Sequence, residues 1–376
     1  MKICIISHFG YPLYTKDSSS QFGGGSDVQL YMLSKEFSND DNIEVNVLTG
    51  NCGDNKNTFE MINKIRFYKV LPLKRNLINY FKFAFSFFYY LYKINPDIVI
   101  QRAISITTGM AAFYCKLFKK IFIYSIANKK DVENSNYKSL SDLLYKFGFK
   151  NANYIIAQNN EQLDLMRKRN KKVASCAIRF NSGFPIRNEE MESLNKSEIL
   201  WVGRAVDWKR PELFIKLASQ LRDLNFTMIC SKYLDLEYWK YIQKLAQKMS
   251  NLQFIEFIPF EEIDTFFNKA SMFINTSVYE GFPNTFLQAL KNNTPIISLN
   301  VNPNNLIDRH NLGFYCYNDI EEMKEKVSYL AQNKKLRQQM GDNAYSYFKK
   351  YHNIKKISHA WIKLFKLILG HKNKSH

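Results

Sequence analysis

Several features that would define a protein class are missing from this 376-residue chain. Six cysteines, Cys4, Cys52, Cys115, Cys176, Cys230 and Cys316, are scattered without a C-x-x-C pair or a neighbouring histidine cluster, so neither a disulfide framework nor a zinc centre is indicated. Buried thiols in a reducing compartment are expected. Zinc-ligand spacing, a basic heptad region and an R-G-F-G-F-V-type strand are all lacking, so nucleic acid is not an expected partner. The longest apolar run, Leu77 to Ile94, is interrupted by Asn79, Lys82 and Ser86 and makes a poor spanning helix. Met1 to Ser7 already reads as a strand rather than a leader, and a cytoplasmic location is expected. There is no internal repeat.

The apolar content is ample. Hydrophobic residues make up 46% of the sequence, and the length suits two α/β domains rather than one core. Strand-like runs recur at Lys2 to Ser7, Glu44 to Leu48, Ile65 to Val70, Asp97 to Gln101, Ile121 to Ser125 and Tyr154 to Ala157, with helical spacing between them. Alternation of this kind predicts a parallel sheet. The pattern restarts with strands at Glu198, Thr227, Phe254, Met272, Ile296 and Phe314. Polar residues 181–197, rich in turn formers, read as a linker between a first domain over 1–180 and a second over 198–350.

A formal net charge of +19 favours anionic partners. Leu77 to Ile94 is aromatic almost throughout and follows Lys74 and Arg75. It is either a core helix of the first domain or a helix whose outer face rests on a bilayer. The segment Ile354 to Leu369 places Ile354, Ile357, Trp361, Leu364, Phe365 and Ile368 on one helix face, with Lys355, Lys356, Lys363 and Lys366 elsewhere. Packing and interfacial adsorption are both open to such a helix.

Two segments carry the chemistry. The strand-like run Ser271 to Asn275 gives way to S-V-Y-E-G-F-P-N-T-F-L-Q-A-L, Ser277 to Leu290, a turn followed by helical spacing from Asn284. Gly281 permits unusual backbone angles, and Pro283 fixes its own near the value wanted at a helix start. Amides of Asn284, Thr285 and Phe286 at that start, with about half a positive charge from the aligned peptide dipoles, form a seat for phosphate. Glu280, just ahead of the seat, is better suited to accept hydrogen bonds from hydroxyls. A sugar diphosphate supplies both partners. In W-V-G-R-A-V-D-W-K-R-P, Trp201 to Pro211, a strand ends at Gly203 and a helix opens at Pro211, with Arg204, Lys209 and Arg210 in the loop between. Beyond the carboxyl end of a strand, these cations are expected to face a ligand crevice.

A G-R-x(n)-K element followed by E-G-F-P resembles the retaining nucleotide-sugar glycosyltransferases of family 4. The matching residues are Gly203, Arg204, Lys209, Glu280, Gly281, Phe282 and Pro283. The resemblance implies the α/β GT-B fold, two Rossmann-like domains facing across a cleft, with the terminal helix over 354–369 packing back on the first domain. It also implies Arg204, Lys209 and Glu280 as catalytic residues, with Gly203, Gly281, Phe282, Pro283, Asn284 and Thr285 at the donor. Gln288 stands where the family has a second glutamate for the ribose hydroxyls; an amide still bonds a diol, without charge.

From the first domain, the family's glycine loop approaches the donor diphosphate, and here Gly24 and Gly25, ahead of a helix expected over Val28 to Phe37 with Ser26 or Asp27 as cap, hold that place. Many relatives have a histidine-aspartate pair after the strand I-F-I-Y-S. This chain has I-A-N-K-K-D, leaving Asn128 and Asp131 as the candidates there. His8, in the loop after the first strand, has either a chemical or a structural role. No convincing D-x-D motif is present, so no metal and no cofactor is expected beyond the donor. The implied activity is transfer of a sugar from a nucleotide-diphosphate sugar to a glycan or lipid-linked acceptor, in bacterial surface polysaccharide synthesis. The enzyme would then be cytoplasmic, with peripheral contact to anionic lipid on the inner face of the plasma membrane. A nucleotide-sugar epimerase, or a catalytically impaired nucleotide-sugar-binding protein of the same fold, is the alternative.

Overall fold

A computed structural model describes residues 1–15, 24–50, 58–71, 77–133, 139–169, 174–187 and 196–374; Gly23, Cys52, Lys74, Arg75 and positions 188–195 lie outside the described residues. The chain divides into two compact units, Met1–Gly183 with Ile354–His376, and Phe184–Asn353.

The first unit is built on an eight-stranded sheet. Its strands are β1 (Lys2–Ile6), β2 (Glu44–Gly50), β3 (Phe59–Ile62), β4 (Ile65–Leu71), β5 (Ile98–Arg102), β6 (Ile121–Ser125), β7 (Tyr154–Ala157) and β8 (Ala177–Arg179), in the order β3-β4-β2-β1-β5-β6-β7-β8. Every pairing is parallel except β3 with β4. The central strands read as unbroken apolar runs because helices cover both faces; Ile3 to Ile6 and Ile121 to Ser125 are buried throughout. The edge strands β3 and β8 were not expected from the sequence. Both are short and half solvated, so they lack the apolar run that marks a covered strand.

Two helices of this unit begin or end away from their expected positions. The helix expected over Val28 to Phe37 runs Gly25–Phe37, with Gly24 just ahead of it, so Ser26 and Asp27 lie in the first turn and are not caps. Asp27 is buried and accepts a hydrogen bond from Ser7 Oγ at 2.8 Å. The terminal helix extends from Ile354 to Lys374. Its Trp361, 2% exposed, and Phe365 pack on Phe37, and Phe180 lies against Trp361. Packing on the first unit thus takes up Ile354, Ile357, Trp361, Phe365 and Ile368 of that face, while Leu364 stays half-buried. Helix Leu77–Ile94 sinks Phe83, Phe87, Leu91 and Ile94 into the core, and its opposite face is solvent-exposed. Among the described residues, no helix is long and apolar enough to cross a membrane.

The second unit holds a six-stranded parallel sheet: β9 (Glu198–Arg204), β10 (Phe226–Ser231), β11 (Leu252–Ile255), β12 (Ala270–Asn275), β13 (Ile296–Ser298) and β14 (Gly313–Tyr315). Their order, β11-β10-β9-β12-β13-β14, is the 3-2-1-4-5-6 arrangement of a doubly wound dinucleotide-type fold. Chain direction around the sheet reverses between β9 and β12. Helices flanking that point diverge and leave a crevice at the carboxyl edge, where ligands of open α/β sheets bind. Trp201, Phe214, Phe226, Met228, Ile274 and Ile297 form the core beneath it.

Cys4, Cys115, Cys230 and Cys316 are buried free thiols, and burial pushes Cys230 and Cys316 up to about 12. Cys176 differs from the expectation, being only half-buried, because β8 is an edge strand whose flank is left open.

Candidate active site

Both sequence segments singled out above arrive at the crevice between β9 and β12. After β9 comes a single 3-10 turn, Asp207–Lys209; after β12 comes a loop leading to helix Asn284–Lys291. Lys209 Nζ and Glu280 Oε1 lie 2.7 Å apart, with both side chains largely shielded from solvent. Residues 71 positions apart in the chain thus become an ion pair at the switch point. Glu280 Oε1 also accepts from Ser277 Oγ at 3.0 Å, and Ser277 Oγ accepts in turn from Asn275 Nδ2 at 3.3 Å.

The loops after β9 and β12 are joined to each other at several atoms. Trp201 Nε1 donates to Thr276 Oγ1 at 3.0 Å, Thr276 Oγ1 donates to the Lys209 carbonyl at 2.5 Å, and the Val278 amide donates to the Trp208 carbonyl at 2.7 Å. The indole of Trp208 stacks on the Tyr279 ring beside them.

Gly203 does not end β9. The strand continues to Arg204, and Gly203 pairs with Cys230 within it. Its glycine identity has a packing cause, because a Cβ there would lie 2.6 Å from the Trp201 ring and 3.1 Å from Lys209 Cδ. Arg204 follows at the strand end, half-buried, with its guanidinium 4.7 Å over the Tyr233 ring on the β10 side. Tyr233 is a partner the sequence did not reveal. Arg210 corrects the expectation that three cations face the ligand. Its Nε donates to the Thr276 carbonyl at 2.7 Å and its guanidinium to Asn318 Oδ1 at 2.8 Å, from a left-handed backbone with φ of 47°. Arg210 straps the end of β12 to the loop after β14, and burial lowers its pKa.

At the phosphate seat the structure shifts the helix start by one residue. Pro283 is the residue before the first helical turn, and Asn284 begins it. Phe286 N–H donates to the Pro283 carbonyl at 3.1 Å and so is not part of the seat as expected; of the three expected residues, Asn284 and Thr285 remain at the helix start ahead of that bond. Gly281 and Phe282 are buried, and the Phe282 ring rests 4.8 Å from that of His352, anchoring the loop. Gln288 is buried one turn beyond Asn284 on the same helix face.

Gly24 and Gly25 sit at the start of helix Gly25–Phe37 in the first unit, where the Gly24 carbonyl accepts from the Asp27 and Val28 amides. The His8 ring packs on Phe9 in the loop after β1. Asp131 does not present itself to a substrate: it is fully buried, accepting from Tyr124 Oη at 3.0 Å and from the Ala127 amide at 2.7 Å. Burial pushes its carboxyl up to about 6. It fixes the turn after β6 by accepting from the Ala127 amide, while the Ile126 amide before it donates to the Ile156 carbonyl at 2.9 Å. Asn128 lies in the same turn with its Oδ1 buried and unpartnered among the described residues.

Arg102, at the end of β5, was not anticipated. It donates to Ser125 Oγ at 3.1 Å and Ser182 Oγ at 3.2 Å, and burial lowers its pKa to about 10, so it stays charged at neutral pH. The only sequence trace of it is an arginine closing the apolar run P-D-I-V-I-Q-R.

Residues 182–347 match the family model described as Glycosyl transferases group 1. An uncharacterised glycosyltransferase of Methanocaldococcus jannaschii is 25% identical over 92% of this chain and 96% of its own length, and a second from that organism is 29% identical over 40% of this chain and 43% of its own. Among solved structures, sucrose-phosphate synthase from Thermosynechococcus elongatus superposes with a TM-score of 0.79 at 14% identity, over 99% of this chain and 100% of that one. Anabaena HepE, solved in complex with UDP, gives 0.70 at 12% over 97% and 100%, and the lipopolysaccharide outer core galactosyltransferase WaaB gives 0.64 at 16% over 97% and 99%. The fold is GT-B. The chain is an enzyme of the glycosyltransferase class.

Proposed function

We propose that this glycosyltransferase is a retaining enzyme of the family-4 type that moves a sugar from a nucleotide-diphosphate sugar to a lipid-linked glycan in surface polysaccharide assembly. The observation that carries the reading is the Lys209–Glu280 pair at the β9/β12 switch point, on loops that also carry Arg204 at the end of β9 and the start of helix Asn284–Lys291. A carboxylate paired with a cation, on loops that also carry an arginine and a helix start, matches a ligand with hydroxyls at one end and a diphosphate at the other. UDP bound to HepE and the lipopolysaccharide substrate class in the name of WaaB are in keeping with such a donor and acceptor.

In this reading, the bond from the anomeric carbon to the diphosphate oxygen breaks, and the acceptor oxygen bonds to that carbon on the same face. The acceptor proton passes to the departing phosphate. Arg204, Lys209 and the amides of Asn284 and Thr285 stabilise the charge that grows on the leaving group, a role that makes a metal unnecessary. Glu280 releases Lys209 to the phosphate and accepts hydrogen bonds from the donor sugar. Gln288 bonds the ribose.

Thermal unfolding with a panel of uridine, guanosine and adenosine diphosphate sugars tests the donor class, because a ligand at about 100 times its Kd adds about 2.7 kcal/mol to the native state. One nucleotide should raise the melting temperature, and Arg204→Ala should lose about 10²- to 10³-fold in turnover while remaining folded. Transfer should persist in EDTA. A folded Arg204→Ala enzyme with near-normal turnover, or inhibition by the chelator, would overturn the mechanism.

A further inference from the structure

We infer that the outer face of helix Leu77–Ile94, together with the end of helix Ile106–Leu117, docks on an anionic lipid bilayer. Phe81, Phe85, Tyr89 and Tyr92 recur at helical spacing and are 85, 76, 49 and 65% exposed. Isolated exposed apolar side chains are ordinary, but a stripe of four aromatics on one helix is not. Ring contacts extend it onto the neighbouring helix: Phe85 stacks on Tyr89, Phe88 meets exposed Phe113 at 5.9 Å, and Tyr92 meets Phe118 at 5.8 Å. Leu117 is exposed beside Phe118.

The charge carried by these two helices has one sign. Lys82, Lys93, Lys116 and Lys119 are exposed and Lys120 is half-exposed, while residues 77–94 and 106–120 contain no aspartate or glutamate. Aromatics set among lysines match the boundary of an anionic bilayer, where rings enter the acyl region to about 5–10 Å and ammonium groups stay at the phosphates. A second copy of the chain is the weaker occupant, since a two-fold contact would set the same cationic rim against itself. Contact with the surface, not insertion across it, is the geometry this helix supports, because its inner face is held in the core.

The inference rests on the lipid-linked acceptor reading for its purpose and on the exposed patch for its physics. The test uses the full chain with phosphatidylcholine vesicles, with and without phosphatidylglycerol, and reads co-sedimentation. Wild type should sediment with the phosphatidylglycerol vesicles and weakly with the neutral ones. A Phe81→Ser, Phe85→Ser, Tyr92→Ser variant should bind at least about tenfold more weakly. A Lys116→Glu, Lys119→Glu, Lys120→Glu variant should lose on the order of 100-fold, with thermal unfolding unchanged in both.

Wild type left in the supernatant, or an aromatic variant that binds like wild type, overturns the docking surface. So does a wild-type dimer in velocity sedimentation that the aromatic variant abolishes without any vesicle binding. Nucleotide-induced thermal stabilisation separates the two proposals: its retention alongside failed vesicle binding sinks only the docking surface, and its absence alongside intact vesicle binding sinks only the donor site.

Discussion

Glu280 is held by two different kinds of partner, an ammonium and a hydroxyl on the same oxygen, and that sets what its substitutions should do. Glu280→Gln keeps the shape and loses the charge, so Lys209 is left without its pair. Nucleotide affinity is then expected to hold or rise while transfer falls, because the cation stays available to phosphate; equal loss of both in titration and turnover assays would remove the assigned role. Gly203→Ala acts on the same lysine through sterics. A methyl 3.1 Å from Lys209 Cδ and 2.6 Å from the Trp201 ring must displace one of them. Overpacking of this kind costs about 1–3 kcal/mol, read as a lower denaturation midpoint together with reduced turnover.

Asp131 gives a pH signature of its own. Its folded pKa is raised to about 6 from an ordinary 3.8 by burial, so the native state holds the proton more tightly than the unfolded chain. The associated stability is full below the unfolded value and is lost as pH rises through about 6, on the order of 3 kcal/mol for a shift of this size. Asp131→Asn should flatten that part of the stability profile in chemical denaturation at several pH values.

At the scale of elements, helix Asn284–Lys291 is fixed at its carboxyl end by a residue remote in sequence. Its carboxyl end is closed by Lys196, whose ammonium donates to the carbonyls of Asn292 and Asn293 and to Thr294 Oγ1 at 2.6, 3.2 and 3.0 Å. Burial lowers the pKa of Lys196 to about 7. Replacing it by methionine leaves buried acceptors unpaired, at a cost of about 1–3 kcal/mol, and should loosen the helix that carries the phosphate seat. Hydrogen exchange of residues 284–292 would register this, and unchanged exchange would show that Lys196 is dispensable.

Elements buried on both faces were legible in the sequence. Predicted starts for β1, β6, β7 and β9 coincide with the observed ones, since a strand covered on both faces reads as a nearly continuous apolar run. Edge strands β3 and β8 were not legible, because pairing on one side leaves no such run. Helix starts at Gly25 and Asn284 were misplaced by three residues and one, as neither is marked by a side-chain cap.

For the molecule as a whole, the division into two units places the residues assigned to the diphosphate's cations, Arg204 and Lys209, and the carboxylate Glu280 in Phe184–Asn353 alone. Nucleotide binding is therefore expected to protect backbone amides over 203–210 and 276–288 in hydrogen exchange. Protection confined to residues of the first unit would contradict that placement. The excess of 53 basic over 34 acidic residues is not spread evenly: two helices of the first unit hold lysines with no acid among them.

By itself the sequence determined the alternation of strands and helices, the two-domain scale and the two segments that meet at the site, because burial period and turn chemistry are local properties of the chain. Only the tertiary structure decided that Lys209 pairs with Glu280, that Arg210 straps a strand end instead of facing ligand, and that Trp361 is buried while Phe81 is not. Those outcomes depend on which strands neighbour one another and which helix faces they cover, and sheet order is set by contacts between residues far apart in the chain.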